Sequence, residues 1–196
     1  MPSIKNIRYV SDVDPNGWLK VKLESGNIVA LPYYLKVEYT KTENGRDYFI
    51  ILEGPCKGKK ASVKLKGRNR SYLMTKGSHL AAASMTFKKK TKKLVIQEVG
   101  SFVAYTSTDD PVPNGRYDVE IPASPHKLGF QYIKDSRYSE TWFRVGHIGG
   151  RFIHTGNISA GCITVTDKDR WSRVYNHLIQ RRKDTKRVGT IEVVNE

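Results

Sequence analysis

The 196-residue chain reads as a mainly β protein: a small N-terminal β-barrel or β-sandwich over residues 1–80, then a larger C-terminal β-sandwich with one packed helix over 81–196. Three observations lead there. Short runs alternate apolar and polar residues at period two between turns rich in Gly and Asn. One stretch alone repeats its apolar residues at helical spacing, and it lies late in the chain. Between two strand-rich regions, residues 74–79 lead into Leu80-Ala81-Ala82-Ala83-Ser84, a small-residue stretch that reads as a linker.

In the first region, Leu19, Val21 and Leu23 alternate with Lys20, Lys22 and Glu24, and Ser25-Gly26-Asn27 supplies a turn before Ile28-Val29-Ala30-Leu31. Val37-Glu38-Tyr39-Thr40 and Tyr48-Phe49-Ile50-Ile51-Leu52 flank Asn44-Gly45, a pair that tolerates the positive φ of a tight hairpin turn. A further strand is expected at 61–65. The second region opens with a hairpin of 93–97 and 102–105 joined at Gly100-Ser101, followed by strands at 116–121, 141–145 and 151–154. Trp171, Val174, Tyr175, Leu178 and Ile179 then fall at i, i+3, i+4, i+7 and i+8, the single apolar stripe of a helix that should lie on a sheet. Thr166 is the expected N-cap, Asp167 and Asp169 place negative charge on the first turn, and Arg181-Arg182-Lys183 sits at the end that favours positive charge. A closing strand is expected at 188–194.

With 34 Lys and Arg against 19 Asp and Glu, the formal charge is +15, which favours polyanionic partners such as nucleic acid or the carboxylates and phosphates of a bacterial wall. The bias peaks between Glu53 and Glu98, where no acid occurs and Lys and Arg occur 13 times. No apolar run approaches the ~18 residues needed to span a bilayer. The start, Met1-Pro2-Ser3-Ile4-Lys5-Asn6, lacks the apolar core of a signal peptide, so no membrane span and no N-terminal export signal are expected. Two cysteines, Cys56 and Cys162, do not make a disulfide scaffold. Together with scattered histidines they match no metal-ligand spacing, and no metal or other cofactor is expected. Gly54-Pro55-Cys56-Lys57-Gly58-Lys59-Lys60 lacks the Gly-Lys-Ser/Thr ending of a phosphate-binding loop.

Chemistry concentrates in residues 147–164, which hold a thiol and two histidines. A cysteine nucleophile needs a base within hydrogen-bond reach and small neighbours that admit a carbonyl. Ser159-Ala160-Gly161 supplies small neighbours to Cys162, and a turn there would aim consecutive backbone N–H groups at one point, as an oxyanion hole requires. The competing reading is that Cys162-Ile163 simply opens a core strand, cysteine being among the most buried residue types. His154, at the end of a strand-like run and beside Gly156, is the expected base; His147, next to Gly146, is the alternative. His79, His126 and His177 read as structural.

These residues resemble the catalytic signature of the L,D-transpeptidase (YkuD-type) family, His-x-Gly followed by Ser-x-Gly-Cys-Ile/Val, here His154-Thr155-Gly156 and Ser159-Ala160-Gly161-Cys162-Ile163. Upstream, Val112-Pro113-Asn114-Gly115-Arg116-Tyr117-Asp118-Val119 is similar to the family's Thr-Pro-x-Gly-x-Phe/Tyr-x-Ile/Val segment. The 93–105 hairpin precedes it as in the family, and Thr166-Asp167-Lys168-Asp169 with Val174-Tyr175 echoes the helix after the cysteine. The resemblance covers about 87–196. His154 precedes Cys162 by 8 residues and His147 precedes it by 15. The shorter spacing is similar to a branch that includes peptidoglycan-targeting toxins delivered by type VI secretion. Ala160 and Thr164 stand where many members carry His and Arg or Asn.

The resemblance implies a YkuD-like β-sandwich and a cysteine enzyme, an L,D-transpeptidase or L,D-carboxypeptidase, acting on peptidoglycan stem tetrapeptides in the periplasm or the extracellular wall. It implies Cys162 as nucleophile, His154 as base, and Ser159 and Gly161 shaping the loop and oxyanion hole. Arg144 or Arg151 is expected to take the substrate carboxylate, and Tyr117 to line the substrate groove. Sortases also place histidine first, but Ser-Ala-Gly-Cys does not match their strand ending. The first region is expected to be an accessory domain that binds anionic wall polymer through its basic stretch at 57–76, or docks a delivery partner. The alternative function is a basic β-barrel that binds polyanions or nucleic acid through Lys57, Lys59, Lys60, Lys64, Lys66, Arg68, Arg70 and Tyr72.

Overall fold

The structure, a computed structural model, describes residues 6–11, 13, 15–146 and 149–196. The chain divides into two compact units, Met1–Ser78 and His79–Glu196, and is mainly β with one short α-helix among the described residues. No helix there is long and apolar enough to cross a membrane.

The first unit is one antiparallel sheet of β1 (Ile7–Val10), β2 (Trp18–Leu23), β3 (Ile28–Pro32), β4 (Lys36–Glu43), β5 (Arg46–Ile51), β6 (Lys60–Lys64) and β7 (Leu73–Met74), in the order β3-β2-β6-β5-β4-β1-β7. Alternation decides its faces. Leu19, Val21 and Leu23 of β2, Ala61 and Val63 of β6, and Phe49 and Ile51 of β5 are buried on one side, while Lys20, Lys22, Lys60 and Lys64 stay exposed on the other. The β4–β5 hairpin turns at Asn44 (φ 49°) and Gly45 (φ 69°), as the Asn-Gly pair predicts. The short strands β1 and β7 carry no sequence signal of their own.

The second unit contains β8 (Ala83–Lys88), β9 (Lys93–Ile96), β10 (Gly100–Tyr105), β11 (Gly115–Glu120), β12 (Phe143–Arg144), β13 (Phe152–Thr155), β14 (Ile163–Val165), α1 (Trp171–Ile179) and β15 (Arg187–Val194). Its sheet runs β11-β15-β8-β9-β10-β14-β13-β12, with β8/β15 and β13/β14 parallel. The two outer strands meet: Val119 bridges Val145, and the Gly146 N–H donates to the Asp118 carbonyl at 2.7 Å, so the sheet closes on itself. Closure removes exposed edges. Helix α1 packs against β15, and its Trp171, Val174, Tyr175, Leu178 and Ile179 are all buried as the stripe predicts.

Several local expectations are corrected. The supposed linker passes at Ala83 into β8, a central strand, whose backbone lies so close to β15 that a Cβ on Gly189 would stand 2.2 Å from the Ala83 carbonyl oxygen. The 93–105 hairpin turns one step early, with Glu98 at φ 68° and Gly100 already paired to Ile96. Only Phe143–Arg144 of the expected 141–145 strand is regular. Thr166 does not cap α1. A 3-10 turn, Lys168–Arg170, leads into the helix, and Asp167 instead accepts from the Val103 N–H at 3.0 Å and from Arg170 at 3.0 Å. At the other end Arg182 donates to the Ile179 carbonyl at 2.9 Å, as positive charge there predicts.

Candidate active site

Strands β13 and β14 are parallel neighbours joined by only seven residues, 156–162, where a parallel connection usually takes about a dozen or more. Two glycines at positive φ make so tight a return feasible: Gly156 (φ 149°) and Gly161 (φ 81°). The register pairs Ile153 with Ile163 and His154 with Thr164. Alternation then sets Ile153, Ile163 and Val165 into the apolar core and puts Phe152, His154 and Thr164 on the opposite face, with Cys162 immediately before β14. That face is covered as well. His154 is 2% exposed and Cys162 5%.

The His154 ring is held on three sides. Its Nδ1 lies 2.9 Å from the Thr155 carbonyl oxygen, which only accepts, so Nδ1 carries the proton and Nε2 the lone pair. The Thr164 hydroxyl lies 3.1 Å from Nε2 and also 3.2 Å from the Ile158 carbonyl oxygen. One face of the imidazole stacks on Trp142 (centroids 3.9 Å apart, 12° between planes), and the other side of the same indole stacks on His126 (3.5 Å, 4°). Burial pushes the His154 pKa down to about 4, against a smaller upward pull from the Thr155 carbonyl, so the ring is neutral at neutral pH. His126 is lowered too, by burial, and its Nδ1 is buried with no hydrogen-bond partner.

The cysteine loop is fixed at each step. Ser159 Oγ donates to the Cys162 carbonyl oxygen at 2.8 Å, Asn157 N–H donates to the Tyr132 hydroxyl at 3.2 Å, and the Tyr105 hydroxyl donates to the Asn157 carbonyl. Arg151 reaches across: its Nη1 donates to the Gly161 carbonyl at 2.8 Å and to the Asp110 carbonyl at 3.2 Å, while Nη2 pairs with the Asp110 carboxylate at 2.6 Å. Any side chain at 161 would meet this clamp, a Cβ lying 2.5 Å from Arg151 Nη1 and 2.8 Å from Asp110 Oδ2. Burial raises the Cys162 thiol pKa, partly offset by the Phe152 backbone N–H on the sulfur and by the Arg151 charge. The thiol is therefore protonated at neutral pH.

The structure thus gathers Cys162, His154, Ser159, Gly161 and Arg151 around one loop. Arg144 lies across β12/β13 from Phe152, and Tyr117 lies on β11. Arg144 on β12 is half exposed, with one arm 3.9 Å from Glu120 and another donating to the Gly149 carbonyl at 3.4 Å. Tyr117 on β11 donates to the carbonyls of Pro113 and Asn114 and lies against Gly146. His147 lies outside the described residues. Cys56 is a half-buried free thiol before β6, with no histidine of its own unit among the described residues. Sequence reasoning misses Trp142, Thr164 and Asp110. Thr164 becomes legible once 163–165 is read as a strand beside 152–155, but nothing in the sequence marks Trp142 or Asp110 as neighbours of the loop. Among the described residues no group of acids, histidines and cysteines could hold a metal ion.

No protein-family model and no curated protein matches the chain. Among solved structures it is similar to Mycobacterium tuberculosis L,D-transpeptidase 1 and to an L,D-transpeptidase from M. tuberculosis H37Rv. In each case the identity is 12% and the TM-score 0.39, over 89% of this chain and 82% and 80% of the two neighbours.

Proposed function

We propose that the second unit is a peptidoglycan-modifying cysteine enzyme that works on stem tetrapeptides as an L,D-transpeptidase, an L,D-carboxypeptidase, or both, in the periplasm or extracellular wall. The observation that supports this is the parallel β13/β14 register, which pairs His154 with Thr164, two residues after Cys162, across a seven-residue loop. The signature residues of that loop supply the substrate class by resemblance. Cys162 attacks the carbonyl between the L-centre and the terminal D-residue, His154 takes the thiol proton on Nε2, and the tetrahedral oxyanion rests on the N–H groups of Gly161 and Cys162. Collapse breaks the C–N bond, His154 returns the proton to the leaving amine of D-alanine, and a thioester remains. The amine of a second stem peptide or a water then attacks the thioester, giving a 3→3 cross-link or a tripeptide and restoring the thiol. No metal or organic cofactor enters.

Both reacting groups are neutral at rest, since burial raises the thiol pKa and lowers that of the imidazole. The proton therefore moves only as the substrate carbonyl is attacked. Arg151 acts in this scheme as the clamp that orients Gly161, its side chain being only 16% exposed and bound to Asp110, whereas half-exposed Arg144 is the cation left to meet the substrate carboxylate, with Tyr117 beside the groove. His147 stays the alternative base. The test is mass spectrometry of purified disaccharide-tetrapeptides incubated with the reduced enzyme. A loss of D-alanine that Cys162→Ala abolishes supports the reading, and unchanged substrate with the native chain overturns it.

A further inference from the structure

The first unit carries a second site, independent of the thiol chemistry. We infer that the outer face of β2-β6-β5 binds a linear polyol-phosphate chain, held by charge and hydroxyl contacts rather than by base stacking. The face is defined by the register alone. Lys64 pairs with Arg46 across β6/β5 and Arg46 with Glu43 across β5/β4, while the β2/β6 ladder pairs Lys22 with Ser62 and leaves Lys20 and Lys64 beyond that pair, lining one concavity together. One row is thus Lys64-Arg46-Glu43, with Lys20 beyond its open end. The next row is Lys22-Ser62-Tyr48-Lys41. Above them lie adjoining concavities of about 690 Å³ and 320 Å³, both lined by Lys22 and Arg46.

Cations directly opposite one another on neighbouring strands repel and destabilise a sheet. Elsewhere on this face the charges are neutralised: Lys41 pairs with Glu43 at 2.8 Å and Lys60 with Glu24 at 3.5 Å. Lys20, Lys22 and Lys64 have no acidic partner among the described residues, and Arg46 spends its N–H groups on Ser62, donating to Oγ at 3.1 and 3.2 Å and to the carbonyl at 3.2 Å. Lys20, Lys22 and Lys64 without an acidic partner around one concavity, with Arg46 directly opposite Lys64, are what an anionic ligand would neutralise. Same-face residues on one strand stand about 7 Å apart and neighbouring strands about 5 Å apart, so the lane offers cations at about the interval of phosphodiesters along a chain.

The choice of ligand rests on the aromatics. A groove for single-stranded nucleic acid offers ring faces on which successive bases stack. Here Tyr48 has the Lys41 ammonium over its ring at 5.5 Å and Tyr72 has that of Lys66 at 4.6 Å, so each ring is already engaged by a cation. The basic run in the sequence points to Lys57 and Lys59, but these sit in the turn between β5 and β6, away from the lane; Lys20, Lys22 and Arg46 come from strands that no basic run marks.

The test uses the full chain and labelled poly(glycerol phosphate), titrated by fluorescence anisotropy between 50 and about 200 mM salt, against oligo-dT of equal charge. Lys20→Ala/Lys64→Ala should weaken polyol-phosphate binding about tenfold or more and flatten its salt dependence. Lys57→Ala/Lys59→Ala, equal in charge change, should cost less than about threefold, and Tyr48→Ala should do the same. The Lys20→Ala/Lys64→Ala variant should melt no lower than the parent at low salt, since it relieves repulsion. Equal losses from the two lysine pairs would reduce the effect to net charge and overturn the site. Tighter binding of oligo-dT that Tyr48→Ala abolishes would transfer the lane to nucleic acid, and absence of polyol-phosphate binding would end the proposal.

Discussion

A buried imidazole stacked on an indole is a poor place for a positive charge, and that single fact sets how His154 responds to pH. Its folded pKa of about 4 lies below the ordinary 6.5, so between those values the unfolded chain binds the proton that the folded chain refuses. Stability is then fully present above about pH 6.5, falls as the pH drops toward 4, and levels below it; the gap corresponds to about 3 kcal/mol. Thermal melts of His154→Gln against the native chain should show this: the variant loses much of the slope between pH 6.5 and 4, and an unchanged slope would place its origin elsewhere. The same depression moves the acidic limb of turnover. On the proposed mechanism activity should persist down to about pH 4–5 instead of fading near 6.5, because the neutral ring that would accept the thiol proton survives to lower pH. Cys162→Ala should cut turnover by about four orders of magnitude or more with the fold intact, while Cys56→Ser keeps most of it. A Cys162→Ala protein with ordinary turnover would remove the enzyme reading.

At the scale of the element, the loop 156–162 behaves as one clamped piece. Gly161 has positive φ and its Cα faces Arg151 and Asp110, so Gly161→Ala must both strain the backbone and push the guanidinium off the loop carbonyl. The expected cost is about 1–3 kcal/mol of stability, together with faster iodoacetamide alkylation of Cys162 as the loop opens. Arg151→Met should give the same faster alkylation without the backbone strain; alkylation as slow as in the native chain would show that Arg151 does not hold the loop. Elements differ in how far they are legible before folding. Helix α1 and the β4–β5 hairpin are plain in the sequence because local periodicity and the Asn44-Gly45 pair specify them directly. Strand β8 reads as a linker, since it opens on small residues and pairs from Ala83 with Gly189, more than 100 positions away, and no local pattern reports a partner so distant. Likewise Cys162, His154 and Ser159 can be chosen by type and spacing, but the Trp142 stack and the Asp110 anchor arise only when β12, β13 and the 106–112 segment meet. Gly189→Ala tests the β8/β15 contact: with 2.2 Å to the Ala83 carbonyl the strands must part, and the melting temperature should fall by several degrees.

Across the whole molecule, the basic excess of +15 and the closed sheet of the second unit bear on different steps. Charge raises the residence of the protein on an anionic matrix, and its effect on any wall-bound substrate should fade with salt, whereas turnover of a small soluble muropeptide should not. In the proposed reaction the fate of the acyl-enzyme would be set by access to its thioester. Transfer requires that an acceptor amine reach it before water does, so a transferase needs a second groove and a cover over the intermediate. The β13–β14 connection is only seven residues long, and Ile158 within it is exposed, so little of the chain between His154 and Cys162 is available to cover the acyl group of the proposed intermediate. On that scheme water competes well. With purified tetrapeptide muropeptide as both donor and acceptor, tripeptide should be at least as abundant as 3→3 dimer, and its share should fall as acceptor concentration rises, because hydrolysis and aminolysis draw on the same thioester. Dimers that dominate at low acceptor concentration would mean that another part of the chain excludes water, and the short connection would then not be what decides the outcome.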